Sequence, residues 1–320
     1  MRDGAEKIIE DCFNRAGSCP LFFSVCGDMT AEADAISVTL RRRAHQLESV
    51  AIRADQQQLG KLVGIGPFPL LKKLAINMPL LGSSTTSFRK SEFFNDAPRL
   101  TRLYFGTNIT PSMFSFPWTT LSNFTCANSS GDEFLKVLKL VPSLTAFTCR
   151  VTHGKIMHRA VITHERLQNL CLTDRSSTQF LPFVRLPALQ NLVLHVADAM
   201  DNDSLFSILP GLTEIELHDL DEDFVLNFLA RLDRTQDPEF LPRLQSLRFG
   251  DCTQFPVGIL VQALSSRYET RDGMTELLVF QGTCFPGEEI YISREESDTL
   301  RELVAGGMVI HLGPEGGNQI

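Results

Sequence analysis

One short pattern, Leu-x-x-Leu-x-Leu with Ile, Val, Phe, Met or Cys as occasional stand-ins, recurs ten times along this 320-residue chain. The copies open at Leu47, Leu71, Leu100, Leu121, Leu144, Leu167, Leu189, Leu212, Leu244 and Met274, so successive offsets are 24, 29, 21, 23, 23, 22, 23, 32 and 30. A spacing clustered this tightly marks an array of like units. In the clearest copy, Leu189-Gln-Asn-Leu192-Val-Leu194, polar and apolar residues alternate, the period of a strand with one buried face. Leu192 and Leu194 then point inward, as do Leu170/Leu172, Ile215/Leu217, Leu103/Phe105 and Leu247/Phe249. Phe124/Cys126 and Phe147/Cys149 put an aromatic and a thiol in the same places. No single unit can bury its own apolar side, so the units must stack and the two ends need caps.

A proline stands two residues ahead of the first Leu at Pro69, Pro98, Pro142, Pro187, Pro210 and Pro242, where its missing N–H and fixed φ suit entry into a strand. Between the strands the apolar spacing becomes helical. Phe134, Val137, Leu138 and Val141 follow a Ser130-Gly-Asp-Glu133 capping box; Phe224, Val225, Phe228 and Leu229 form a second face, and Val257, Leu260, Val261 and Leu264 a third.

Short parallel strands alternating with helices over residues 45–284 resemble the leucine-rich repeat family. The resemblance implies an α/β solenoid: a curved parallel sheet with helices and turns on its convex side. The family's Asn or Cys three residues past the last Leu survives only at Asn108 and Cys252, so the units are irregular. A parallel β-helix is the rival architecture, but it lacks amphipathic helices. The expected organisation is an N-terminal helix–strand–helix cap at 1–44, about ten irregular units at 45–284, a C-terminal cap helix and strand at 285–312, and a disordered tail at 313–320.

Composition narrows the function classes. A net charge of −8 argues against non-specific nucleic-acid binding, and Arg41-Arg42-Arg43, the one basic cluster, reads as a solvated helix end. No apolar run has the length of a membrane helix and no secretory signal is visible, so the expected setting is cytoplasmic or nuclear. The eight cysteines show no paired framework; Cys126, Cys149 and Cys171 read as small hydrophobes, and Cys12, Cys19 and Cys26, without a CxxC or a nearby histidine, as no metal site. No phosphate-binding loop, nucleophile elbow or HExxH motif appears, so no cofactor is expected.

Phe13-Asn-Arg15-Ala-Gly17-Ser-Cys-Pro20-Leu21 resembles the Trp-Leu-x-Arg-Ser-Gly-x-x-Pro-Leu stretch of fungal F-box proteins, those of mushroom-forming fungi above all. Phe116-Pro-Trp118-Thr-Thr-Leu121, Ser265-Ser-Arg267 and Leu300-Arg-Glu-Leu303-x-x-Gly-Gly-Met308-x-Ile310 extend the likeness. The resemblance implies the substrate-recognition region of a ubiquitin-ligase adaptor. The F-box that docks on a Skp/cullin scaffold has no counterpart before residue 10, so that scaffold is an expected partner only with an upstream F-box restored. A stand-alone repeat scaffold or inhibitor is the alternative.

A partner, taken to be a protein or peptide, would meet the side chains between the buried strand residues. Toward the N-terminal end these include Arg53, Lys73, Asn77, Arg102, Tyr104 and Arg150; farther on they include Asn169, Asn191, His195, Glu214, Glu216, His218 and Arg248. Glu276, Leu278 and Phe280 would continue them from the unit that opens at Met274. Basic residues in the first set and acids in the second suggest a polarised groove, with Tyr104 as an anchor. His195 and His218 beside Glu214 and Glu216 also supply an acid and a base. An open sheet nonetheless lacks a water-excluding pocket, so a polysaccharide hydrolase on a β-helix is the remote reading and no enzyme is expected.

Overall fold

The structure, a computed structural model, describes residues 11–25, 33–62, 64–78, 94–107, 109–151, 160–196, 209, 211–252, 256–268, 276–284 and 290–313. The chain divides into two compact units, residues 1–150 and 151–320. It is an α/β protein whose twelve parallel strands follow chain order, six in each unit.

The first unit holds β1 (Leu21–Val25), β2 (Leu47–Arg53), β3 (Lys73–Asn77), β4 (Arg102–Phe105), β5 (Asn123–Ser129) and β6 (Ala146–Val151). Val50, Ile52, Leu74, Ile76, Leu103, Phe105, Phe124 and Cys126 are all buried, as the alternation requires. So is each opening Leu from Leu47 to Leu144. Burying one such side chain is worth about 1.5–3 kcal/mol, so the repeated pattern is itself the main stabilising force. Aromatic rings continue this core from strand to helix. Phe124 meets Phe105 edge-on at 5.4 Å and stacks on Phe147 at 5.4 Å, and Phe147 stacks at 5.3 Å on Phe134 of α3 (Gly131–Leu140).

At the N-terminal end residues 11–16 are helical, Gly17 turns with φ +58°, β1 follows, and then α1 (Ala33–Arg43). Phe13 is buried with its ring centroid 6.1 Å from that of Phe23. Of the three arginines ending α1, Arg43 donates to Asn14 Oδ1 at 2.6 Å and lies over the Phe13 ring, tying the helix end back to residues 11–16. A short helix, α2 (Gln56–Lys61), starts with a full capping box between Asp55 and Gln58. At α3 the box is half closed: Ser130 Oγ accepts from Glu133 N–H, but the Glu133 carboxylate accepts from Ser112 N–H instead.

The prolines lie in turns rather than at strand entry. In unit after unit the N–H of the opening Leu donates to the carbonyl three residues back: Leu71 to Phe68, Leu100 to Ala97, Leu144 to Val141, Leu189 to Leu186, Leu244 to Leu241. Pro69, Pro98, Pro142, Pro187 and Pro242 thus take the second place of a β-turn, where a fixed φ suits. The residue that opens each turn is a buried hydrophobe. Pro210 lies outside the described residues. Hydroxyls beside the opening Leu form a further ladder, Thr101 Oγ1 donating to Lys72 O, Ser122 to Thr101 O, Thr145 to Ser122 O and Thr213 to Gln190 O.

The second unit holds β8 (Asn169–Leu172), β10 (Asn191–His195), β11 (Glu214–His218), β12 (Ser246–Cys252), β13 (Val279–Cys284) and β14 (Val309–Leu312), with a separate pair β7 (Ile162–Thr163) and β9 (Val184–Arg185). Leu192 lies between Leu170 and Ile215 in the register, and all three are buried. The helices are α4 (Glu222–Leu232), α5 (Val257–Tyr268) and α6 (Arg294–Ala305). Every residue of the α4 face read from the sequence is buried. The α5 face is turned: Ala263 and Arg267 are buried, and Val261 is only half-buried.

The tenth unit is out of frame with the sequence reading. Leu247 pairs with Phe280, and Phe280 is fully buried, so the unit opens at Leu277 rather than Met274. Four consecutive apolar residues, Leu277 to Phe280, satisfy either alternation, and the period cannot choose between them. The cap helix α6 and β14 then follow as expected. Met274, Asn108, Cys26 and residues 314–320 lie outside the described residues.

Candidate binding surface

Parallel registers line up the outward side chains of the first unit in rows. One row reads Phe22, Ser49, Lys73, Arg102, Asn123; the next reads Ser24, Ala51, Ala75, Tyr104, Thr125. Neighbouring strands lie about 4.8 Å apart, which puts Lys73 directly beside Arg102. Both are exposed, and neither side chain makes a hydrogen bond or ion pair among the described residues. Tyr104 is 42% exposed, and Phe22, one row end away, 72%. Ala51 and Ala75 leave space between them, and an open depression of about 500 Å³ lies over Ser49, Ala51, Lys73, Ala75, Arg102 and Tyr104.

Arg53 is exposed at the end of β2, aligned with the half-buried Asn77. A Cβ on Gly106 would collide with the Asn77 amide, so glycine there is required by that side chain. Arg150 is exposed on β6. The two rows that hold Lys73, Arg102 and Tyr104 carry no carboxylate on β1–β5, although the chain as a whole has a net charge of −8. Glu48, the nearest acid in sequence, is engaged by Lys72 at 2.9 Å.

In the second unit the outward residues bind one another. Asn191 Nδ2 donates to Asn169 Oδ1 at 2.6 Å. His195 and His218 stack with ring centroids 4.8 Å apart and planes at 15°. A carboxylate only accepts, so His195 Nδ1 donates to Asp219 at 2.8 Å and His218 Nε2 donates to Glu216 at 2.8 Å. The other nitrogen of His218 lies 3.7 Å from Asp251, and Arg248 lies 3.8 Å from Glu216. Asp219 and Asp251 both adopt left-handed backbone, φ +58° and +57°, which turns each carboxylate toward the preceding unit's histidine position. Gly250 is held to glycine because a Cβ would meet the His218 ring. Glu214 is exposed. The depression here, lined by Asn191, Glu214, Glu216 and Arg248 among others, measures about 50 Å³.

All thirteen residues singled out from the sequence thus fall at outward strand positions, in two clusters of different character. Phe280 departs from its outward reading and is core, whereas Cys171 faces outward, half-buried, with burial and then the Glu216 charge pushing its thiol up. Phe22 was missed because β1 lacks the Leu-x-x-Leu-x-Leu pattern; its signal was the alternation of Leu21-Phe22-Phe23-Ser24-Val25 in the cap. Among the described residues no cluster of His, Cys, Asp or Glu is arranged to hold a metal ion, and no helix is long and apolar enough to cross a membrane. No protein-family model matches the chain, and no curated protein is significantly similar to it.

Proposed function

We propose that this protein is an interaction module of the leucine-rich-repeat type, which binds a protein or peptide through the outward side chains of its parallel strands. Strand order that follows the chain, amphipathic helices between strands, and a proline turn before five of the opening Leu residues favour this architecture over a β-helix. One observation carries the function: β3 and β4 present two adjacent cations and a half-exposed tyrosine beside an open depression, with no carboxylate in their rows across the strands and the acid of β2, Glu48, already held by Lys72. Like charges placed side by side repel, and nothing in folding rewards the arrangement; a ligand would. The second unit's ion pairs and stacked histidines are satisfied internally and read as scaffold rather than as acid–base machinery.

The ligase-adaptor role rests on the resemblance to fungal F-box proteins and is part of the same proposal. Affinity capture should compare the wild-type chain with a Lys73→Glu/Arg102→Glu variant that retains its circular dichroism spectrum. A set of partners held by the first and lost by the second is the expected result; identical partner sets would refute the assigned face. Capture of a Skp protein by the chain alone, or only by a form carrying an upstream F-box, separates a ligase subunit from a stand-alone scaffold.

A further inference from the structure

The first unit's outward face has more structure than a patch of positive charge, and we infer that it takes an acidic peptide segment with an apolar residue three to four positions ahead of an acidic pair. The inference rests on the interaction reading above and narrows it to one class of partner. Its basis is the order of one row across the strands: Phe22 on β1, Ser49 on β2, Lys73 on β3 and Arg102 on β4.

Phe22 is the most water-exposed phenylalanine among the exposed large hydrophobics of the described residues, at 72%, and touches no other ring. It sits at an edge strand, where a large apolar side chain raises the hazard of non-specific association unless a partner covers it. Two strand steps, roughly 10 Å, separate it from Lys73, and three steps, roughly 14 Å, from Arg102. An extended peptide advances about 3.4 Å per residue, so three residues span about 10 Å and four span about 14 Å. Side chains of an extended peptide alternate in direction, so with its apolar residue on Phe22 the fourth following residue faces Arg102 directly, and the third, turned from the surface, is met by the long flexible stem of Lys73 beside the peptide backbone. Acids there would neutralise both cations, and the Arg102 guanidinium offers a bidentate contact. Ser49 lies between Phe22 and Lys73, and Ala51 and Ala75 occupy the neighbouring row, all small enough for a backbone to pass close over them. Tyr104, next to Arg102 on β4, closes the far side with a ring and a hydroxyl. Aromatic residues and arginine flanking a desolvated centre are the groups that carry most binding energy at interfaces.

The test is fluorescence anisotropy with a labelled probe, Gly-Ser-Trp-Ser-Gly-Glu-Glu-Ser-Gly, and with its Gln-Gln and Trp-to-Ser counterparts. The wild-type chain should bind the probe, more weakly at high salt, and bind the Gln-Gln peptide about tenfold less tightly. Lys73→Glu and Arg102→Glu should each lose about tenfold on the acidic probe. Phe22→Ser should weaken binding of the Trp peptide while leaving the Ser peptide unchanged, a coupling that a general loss of fold does not give. Equal affinity for acidic and Gln-Gln peptides, or no effect of Phe22→Ser on the Trp peptide, overturns the proposal. Self-association of the wild type that Lys73→Glu abolishes would assign the face to a second copy and overturn it too. Failure of the probe alongside charge-sensitive partners in the capture experiment rejects this motif and leaves the interaction reading standing; failure of both removes that reading as well.

Discussion

Arg267 has no exposed surface, yet its charge has no carboxylate against it. Its guanidinium instead donates to three backbone carbonyls: Nε to Leu232 at 2.7 Å, one terminal nitrogen to Leu241 at 2.9 Å, and the other to Phe240. Leu232 is the last residue of α4, so one of these carbonyls belongs to the negative end of a helix dipole. Burial first, and the like charge of Arg234 second, pull the Arg267 pKa down to about 10, while Asp237 and Asp233 push it back up. It therefore stays protonated at neutral pH, and the carbonyls serve as its counter-charge. Replacing it with a side chain of similar length and no donors strands all three acceptors in the core. Arg267→Met should cost about 3–5 kcal/mol, and Arg267→Lys, which has no fork to reach three carbonyls at once, an intermediate amount. Urea unfolding measures both; a loss below about 1 kcal/mol for Arg267→Met would show that water reaches these carbonyls.

At the scale of elements, α6 depends on its first turn. Ser293 Oγ accepts from Glu296 N–H, and the Glu296 carboxylate accepts from Ser293 N–H at 2.8 Å. Ser293→Ala removes one of these reciprocal bonds and should cost about 1 kcal/mol, read as a lower urea midpoint with unchanged slope. Glu296→Gln, which still accepts, should cost less. The sequence places a helix within 285–312 but leaves its first turn unmarked, because the apolar spacing is too sparse before Leu300. Strands were more legible than helices. A buried Leu at fixed intervals leaves one choice of face for β2 to β12, and the outward residues follow by exclusion. The alternation is ambiguous where apolar residues run together, as in β13, and absent where no repeat exists, as in β1, which hides Phe22. The turn role of the prolines was hidden for another reason: a fixed φ suits a turn and a strand entry alike, and only the hydrogen bond from the following Leu tells them apart. The left-handed backbone of Asp219 and Asp251 had no clear sequence signal, since aspartate adopts that conformation only occasionally and glycine is its usual marker.

Within each of the two units, the long strands pair with their neighbours in chain order. Stability in such an array is a sum of each unit's own contribution and the interfaces with the units beside it, so damage should spread by adjacency rather than through a common core. Leu192, 1% exposed between Leu170 and Ile215, is the sharpest place to test this. Leu192→Asp puts an unpaired carboxylate among aliphatic side chains and should cost roughly 3 kcal/mol or more. Amide hydrogen exchange on that variant should show β8, β10 and β11 losing protection first and by the largest factor, while β2 to β4 keep the wild-type rates. The face carrying Lys73 and Arg102 should then still bind the acidic probe. Uniform loss of protection across every strand would mean that the array unfolds as one cooperative block, and that its binding face cannot be separated from the integrity of distant units.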